Sequence, residues 1–496
     1  MQRARARSTL EWCARVCPAL MGMSLALGAC GGRTSFEVHE EATAAPPVTP
    51  PTGPRPRPRF ACAPSTERRP MLAARIDDAL HFVYPDRSVR RVFDLSIPGD
   101  GYVVGAGVTA RGDRVAAYAI IAPSGGGDTF APFVEIVVLD LDGAVRFTEQ
   151  RPFGYEGWGS DSVLVGHGNG RFVLTLREIQ VSLGLVIDDD GSKTFDGAWA
   201  ARSDPDALGR LIVNDYEGSS SVAFHWLDAS TGQARPTAYW ATSGEGATSS
   251  AAIVDDGIAY FARAPNRLVW ERADDTVELP VGDALAADDY PGAGWQRSGG
   301  WVLFLMRDVA PRRYVVAHPA TGTLRGLSLT YPPGWQGPAD TWNPPMVDGT
   351  GRVVQILADG ARLQVFATSD GSAWAPLGLP ITQNGYPTTL IEAGSAVLFD
   401  GFGGGGEPAA GALPSHAAQF VGPQGGEGTV LERSGGPGAG SNPPYGDDAL
   451  SGDGRCLAHF RGGAVRVVES ANYAVSDLPL TATTQSAELA WIPLSE

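Results

Sequence analysis

From about Met71 to Glu496 the chain alternates short apolar runs, rich in Val, Ile, Leu, Phe and Trp, with turns built from Gly, Asp and Pro. No stretch there carries the 3.6-residue period of an amphipathic helix. Short β-branched and aromatic runs bounded by turn residues predict strands. One phrase recurs: small or acidic turn residues with glycine, then a β-rich run. It reads Gly112-Asp113-Arg114-Val115-Ala116, then Asn169-Gly170-Arg171-Phe172-Val173, then Asp255-Asp256-Gly257-Ile258-Ala259. Later copies start at Ser298, Thr350, Ala393 and Asp453, and weaker ones at Asp77 and Ser220. The nine copies between residues 77 and 453 are spaced by a mean of 47 residues.

After several copies come a second strand, a polar turn and a third strand, as in Val134–Leu139, Asp140–Gly143 and Val145–Phe147. Three or four strands in ~45 residues is the period of a propeller blade. The turn phrase resembles blades of TolB-like and WD40-like propellers, without their Trp-Asp or Gly-His signatures. Phe366–Trp374 resembles a degenerate Asp-box of sialidase-like propellers, in which Asp and Ser hydrogen-bond a hairpin turn and Trp packs on it. The resemblance implies a structural turn there and no glycosidase. The fold class is therefore all-β, a β-propeller over 71–496. Nine copies exceed the usual limit of eight blades, so the reading favours eight, with seven or nine compatible. Residues 401–447, with two glycine-rich runs, read as a flexible insertion. The competing architecture is two consecutive β-sandwiches, which a long repeat fits less well.

The N-terminus reads as an address. Arg3, Arg5, Arg7 and Arg15 precede an uncharged apolar stretch, Val16–Ala29. That stretch is shorter than the ~20 residues of a permanent span and suits the apolar core of a secretory signal over residues 1–29. It ends in Leu27-Gly28-Ala29-Cys30, which resembles a bacterial lipobox. The resemblance implies cleavage before Cys30 and a diacylglycerol on its thiol, holding the protein at a membrane surface. Gly31 after the cysteine implies, by resemblance to lipoprotein sorting, the outer membrane of the cell envelope. Residues 30–70 are proline-rich and predict a semi-rigid, disordered tether.

Composition narrows the partners. The net charge of −17 argues against nucleic acid, whose phosphates need a basic surface. The signal segment carries four Arg and one Glu, so the remainder is more acidic still. The lipid, not a polybasic patch, must then do the anchoring. Of five cysteines, Cys13 and Cys17 leave with the signal and Cys30 is acylated in the lipoprotein reading. Cys62 and Cys456 remain, and an even remainder in an exported chain suggests a disulfide. Cys62 precedes the first blade and Cys456 lies in the last, so the bond would fasten the ring.

Chemical motifs are sparse. The sequence has no Gly-x-Ser-x-Gly elbow, no Walker loop and no His-Glu-x-x-His. Asp188-Asp189-Asp190-Gly191 lacks the twelfth-position glutamate of a calcium loop and reads as a hairpin turn. No cofactor or metal is expected, and no catalytic residue is assigned. Aromatic residues gather where consecutive blades join: Tyr155 and Trp158, Tyr290 and Trp295, Tyr331, Trp335 and Trp342, and Tyr386. Such rings either wedge between sheets or offer a ligand a rigid face. Gln336, Asp340 and Asn343 give the Trp335 group polar neighbours. The expected function is a lipid-anchored, monomeric, non-catalytic binding or scaffold module for an envelope protein or glycan. The alternative is an envelope glycan hydrolase or lyase with carboxylates at the propeller centre.

Overall fold

The computed structural model describes most of residues 59–493, in stretches separated by connections such as 124–130, 154–162, 240–250, 282–289, 338–344, 384–388, 401–408 and 432–447. Residues 1–58, with the signal, Cys30 and most of the tether, lie outside the described residues. Among the described residues, 36 strands, numbered β1–β36 in chain order, form nine four-stranded sheets. Neighbouring strands within every sheet are antiparallel. Sheets 2 to 9 each use four consecutive strands and span residues 101–152, 163–195, 199–236, 251–280, 290–328, 346–382, 389–431 and 448–481.

Sheet 1 is built differently. It contains β1 (Leu72–Ile76), β2 (Ala79–Val83) and β3 (Val89–Asp94), and its innermost place is filled by β36 (Ala487–Trp491) from the far end of the chain. β36 pairs with β1 in the register Leu72↔Trp491 through Ile76↔Ala487. This interlock closes the ring, and the fold is a nine-bladed β-propeller. The sequence favours eight blades. Nine form because both weak copies of the repeat are real sheets, and because the closing strand joins sheet 1 without displacing any of its own strands.

The apolar runs of the sequence show little alternation because each sheet is covered on both faces. Leu211 and Val213 pack toward sheet 3, while Ile212 between them packs toward sheet 5. Val302 and Phe304 face sheet 5, and Leu303 faces sheet 7. Each of the nine junctions thus has its own apolar cluster, from sheets 1 and 2 around to sheets 9 and 1. The fourth strands form the rim and are half exposed, as in Val145–Pro152 and Thr276–Pro280.

A second device fastens the junctions. The turn between the third and fourth strands of one sheet tucks against the outer strand of the sheet before it. Arg90 of β3 donates to the Asp142 carbonyl at 2.9 Å, and Arg235 donates to the Ala273 carbonyl at 2.5 Å. Gly378 N–H donates to the Gly426 carbonyl at 2.9 Å, and Thr330 N–H to that of Gly371 at 2.8 Å. A Cβ on Gly371, which has φ +83°, would stand 2.5 Å from the Ser328 carbonyl oxygen, so the close approach needs glycine.

Within 401–447 the structure places the two outer strands of sheet 8, Ala418–Val421 and Thr429–Leu431. Residues Ala409 and Leu413 are also tied to the end of the preceding sheet, through Thr382 and Pro380. The described part of this stretch is therefore integrated in the ring.

Candidate functional site

In sheets 4 and 7 the turn between the first two strands is knitted together by a carboxylate. Asp348 sits between the first two strands of sheet 7, with its side chain fully buried. It accepts from Thr350 N–H, the Thr350 hydroxyl and Arg352 N–H at 2.7–2.9 Å, and from Arg352 Nε at 2.7 Å. Asp206 does the same for Leu208, Arg210 N–H and Arg210 Nε in sheet 4. Arg210 also reaches Asp274 of the next sheet at 2.5 Å, and Arg114 reaches Asp189 at 3.0 Å. The triple-aspartate run is a hairpin turn, with Asp188 paired to Gly191. Arg114 holds the Asp189 carboxyl below its ordinary range through a charge-assisted hydrogen bond. These acids are structural.

The Asp-box-like stretch also behaves as its residues suggest. Asp370 accepts from Ser372 and Ala373 N–H groups, both at 2.8 Å. Those backbone donors pull its pKa down to about 2. Trp374 donates from Nε1 to the Thr330 carbonyl at 2.9 Å and lies 5.8 Å from the Tyr331 ring.

The aromatic candidates divide. Tyr155, Trp158, Trp342 and Tyr386 lie outside the described residues. Tyr290 and Trp295 belong to the first strand of sheet 6, Tyr290–Gln296, and their side chains are outside the description. Tyr331 joins the apolar cluster between sheets 6 and 7. Trp335 lies on the connection between those sheets. Its N–H donates to the Pro332 carbonyl, and Gln336 exchanges backbone hydrogen bonds with Ala358 at 2.8 and 2.9 Å. That pairing docks the connection on the end of sheet 7. The half-buried indole stands edge-to-face on Phe366, centroids 5.0 Å apart. The Arg362 guanidinium lies 5.6 Å from the same ring and is itself fixed by Asp359, whose Oδ2 accepts from Nε at 2.6 Å. Gln336 is exposed beside it. The result is a braced aromatic ring with a cation, a carboxylate and an amide around it.

Cys62 and Cys456 are disulfide-bonded, with Cα atoms 6.0 Å apart across 394 residues. Among the described residues no three His, Cys, Asp or Glu side chains converge as a metal site would require. Sequence reading missed the phrase at Asp206–Val213, although Gly209-Arg210 followed by Leu-Ile-Val carried the signal.

No family model matches the chain, and no curated protein matches it. Among solved structures, a eukaryotic initiation factor shares 12% identity over 86% of this chain and 98% of its own, at a TM-score of 0.43. The β-propeller domain of the Trilobed protease from Pyrococcus furiosus shares 11% over 64% and 94%, at 0.32. TolB from Acinetobacter baumannii shares 12% over 77% and 83%, at 0.24. The propeller assignment itself rests on the chain's own sheets, their order and the β1–β36 closure.

Proposed function

We propose that this protein is an exported, lipid-anchored propeller that binds an envelope protein or glycan without transforming it. The observation that carries the binding half is the braced Trp335. A ring held by Phe366 and Arg362 offers an apolar face with little entropy left to lose, and Gln336, Arg362 and Asp359 supply hydrogen bonds at its margin. Polyols and peptide side chains both suit such a surface. The anchoring half rests on the lipobox-like Leu27–Cys30 and the tether after it. The Cys62–Cys456 bond supports export, since structural disulfides persist in oxidising compartments. The net acidic charge supports attachment through lipid and not through a polybasic patch, and Gly31 after Cys30 favours the outer membrane.

Affinity capture from native envelopes tests the reading. Trp335→Ala should lower partner capture by roughly tenfold, the scale of a small hot spot, while the thermal transition stays cooperative. Capture equal to wild type would remove Trp335 from the site. Cys30→Ala should release the protein from membranes, and a mature N-terminus without acyl mass would refute the anchor.

A further inference from the structure

Two fasteners close the ring, and they differ in how they meet a pull from the N-terminal side. β1 starts at Leu72, which is paired to Val83 of β2 and Trp491 of β36. A pull on the chain just before Leu72 would act on the free end of a single strand. The rungs would then be loaded in turn, the Met71 hydrogen bonds to Val83 and Ile492 first and the Leu72 rung next. Rungs worth ~1 kcal/mol net each resist little when opened singly. Losing β1 would open the ring, because β1 is the only partner of β36 within sheet 1.

Residues ahead of β1 stand in the way of such a pull. Phe60 is buried between sheets 1 and 9. Its N–H donates to the Pro85 carbonyl at 3.1 Å, and the Arg87 guanidinium lies 5.0 Å over its ring. Arg87 also faces Glu469 of sheet 9 at 3.9 Å. Two residues on, Cys62 is bonded to Cys456, the buried first residue of the second strand of sheet 9. Cys456 is flanked by chain on both sides: the turn Ser451–Arg455 leads into it, and Ser451 Oγ accepts its N–H at 2.9 Å. Tension arriving at Cys456 is shared between two strands instead of falling on one end.

We infer that Phe60 and Cys62 form a strain-relief strap. Tension from the N-terminal segment passes through the Cys62–Cys456 bond into the interior of sheet 9 and bypasses the β1–β36 ladder. The anchored reading supplies a source for the tension, so the inference deepens that reading; the strap itself is a property of the ring.

Single-molecule pulling of the full chain tests it. One handle is the N-terminus, and the other is a thioether attachment at Leu208→Cys, an exposed turn position in sheet 4. Oxidised protein should show no early opening. The same protein in a dithiol reductant, and a Cys62→Ser variant, should both gain a distinct first opening at lower force, before the remaining sheets unfold. Forced opening reads an unfolding rate, so the difference belongs to the barrier of the first step. Equal first-rupture forces in all three would overturn the strap. So would loss of the β circular-dichroism signature on reduction at zero force, because the bond would then be a requirement for folding. An N-terminus found without lipid would refute the anchor and leave the force comparison standing.

Discussion

Single residues set tolerances that can be measured. A Cβ at Gly257 would lie 2.3 Å from Trp270 Nε1 and 2.9 Å from the Glu271 carbonyl oxygen. Both belong to a packed junction, so Gly257→Ala should cost about 1–3 kcal/mol in chemical denaturation, the usual scale of overpacking. Asp348→Ala leaves two backbone N–H groups and one guanidinium without their acceptor and should cost about 2–4 kcal/mol. His81, in the third strand of sheet 1, has its pKa lowered from 6.5, first by burial and then by Arg91. A depressed histidine means the folded state resists the proton that the unfolded chain accepts. Its contribution is full above about pH 6.5 and is lost as pH falls toward the folded value. Denaturation between about pH 8 and pH 5 should show wild type losing stability that His81→Leu retains; parallel curves would remove His81 as the cause.

At the scale of elements, the repeat was legible because it has a physical cause. Of the nine phrases, seven mark the first-to-second-strand turn, where an Asp, Asn or Ser meets a glycine and a β-rich strand follows. The two weak ones fall on third strands instead, at Ala79–Val83 and Ala223–Asp228. In sheet 1 the second strand is the closing partner, so no first turn precedes it. In sheet 4 the proper phrase lies at Asp206–Arg210. Sequence periodicity marks a sheet but says nothing about which strand within it carries the mark; the nine copies match the nine sheets, and the sequence favours eight only because nine exceeds the usual propeller size. The Trp335 bracing was not legible, since Phe366 and Arg362 reach the ring from one later strand, Arg362–Thr368, that folding alone brings near.

The fourth strands are sheet edges, met locally by segments of the next sheet, and the sequence blunts them. Pro152, Pro236, Pro280 and Pro479 sit in or at the end of fourth strands, and Val475–Thr481 adds Asp477 and an irregular register. Proline and charge remove the donors and the flatness that strand-to-strand association needs. Replacing Asp477 and Pro479 together by Val should leave sheet 9 folded and raise self-association in sedimentation velocity; an unchanged sedimentation profile would show that this edge is guarded by something else.

For the whole molecule, nine junctions replace one central core, so stability is distributed and closure becomes the decisive contact. The Cys62–Cys456 bond spans that closure. By chain entropy alone a loop of this length contributes on the order of 6 kcal/mol. Both cysteines were readable, because a ring must bring the first and last sheets together. The closing role of the last strand was not, since Ala487–Trp491 reads like any other strand until its partner is known.

Amide hydrogen exchange of the intact protein tests that closure most directly. Leu72–Ile76 and Ala487–Trp491 share one ladder, so their amides should exchange slowly and together, and Cys62→Ser should speed both to the same degree. Fast exchange across Ala487–Trp491 beside a protected Leu72–Ile76 would mean that the last strand does not complete the first sheet, and the closed nine-sheet ring would fall.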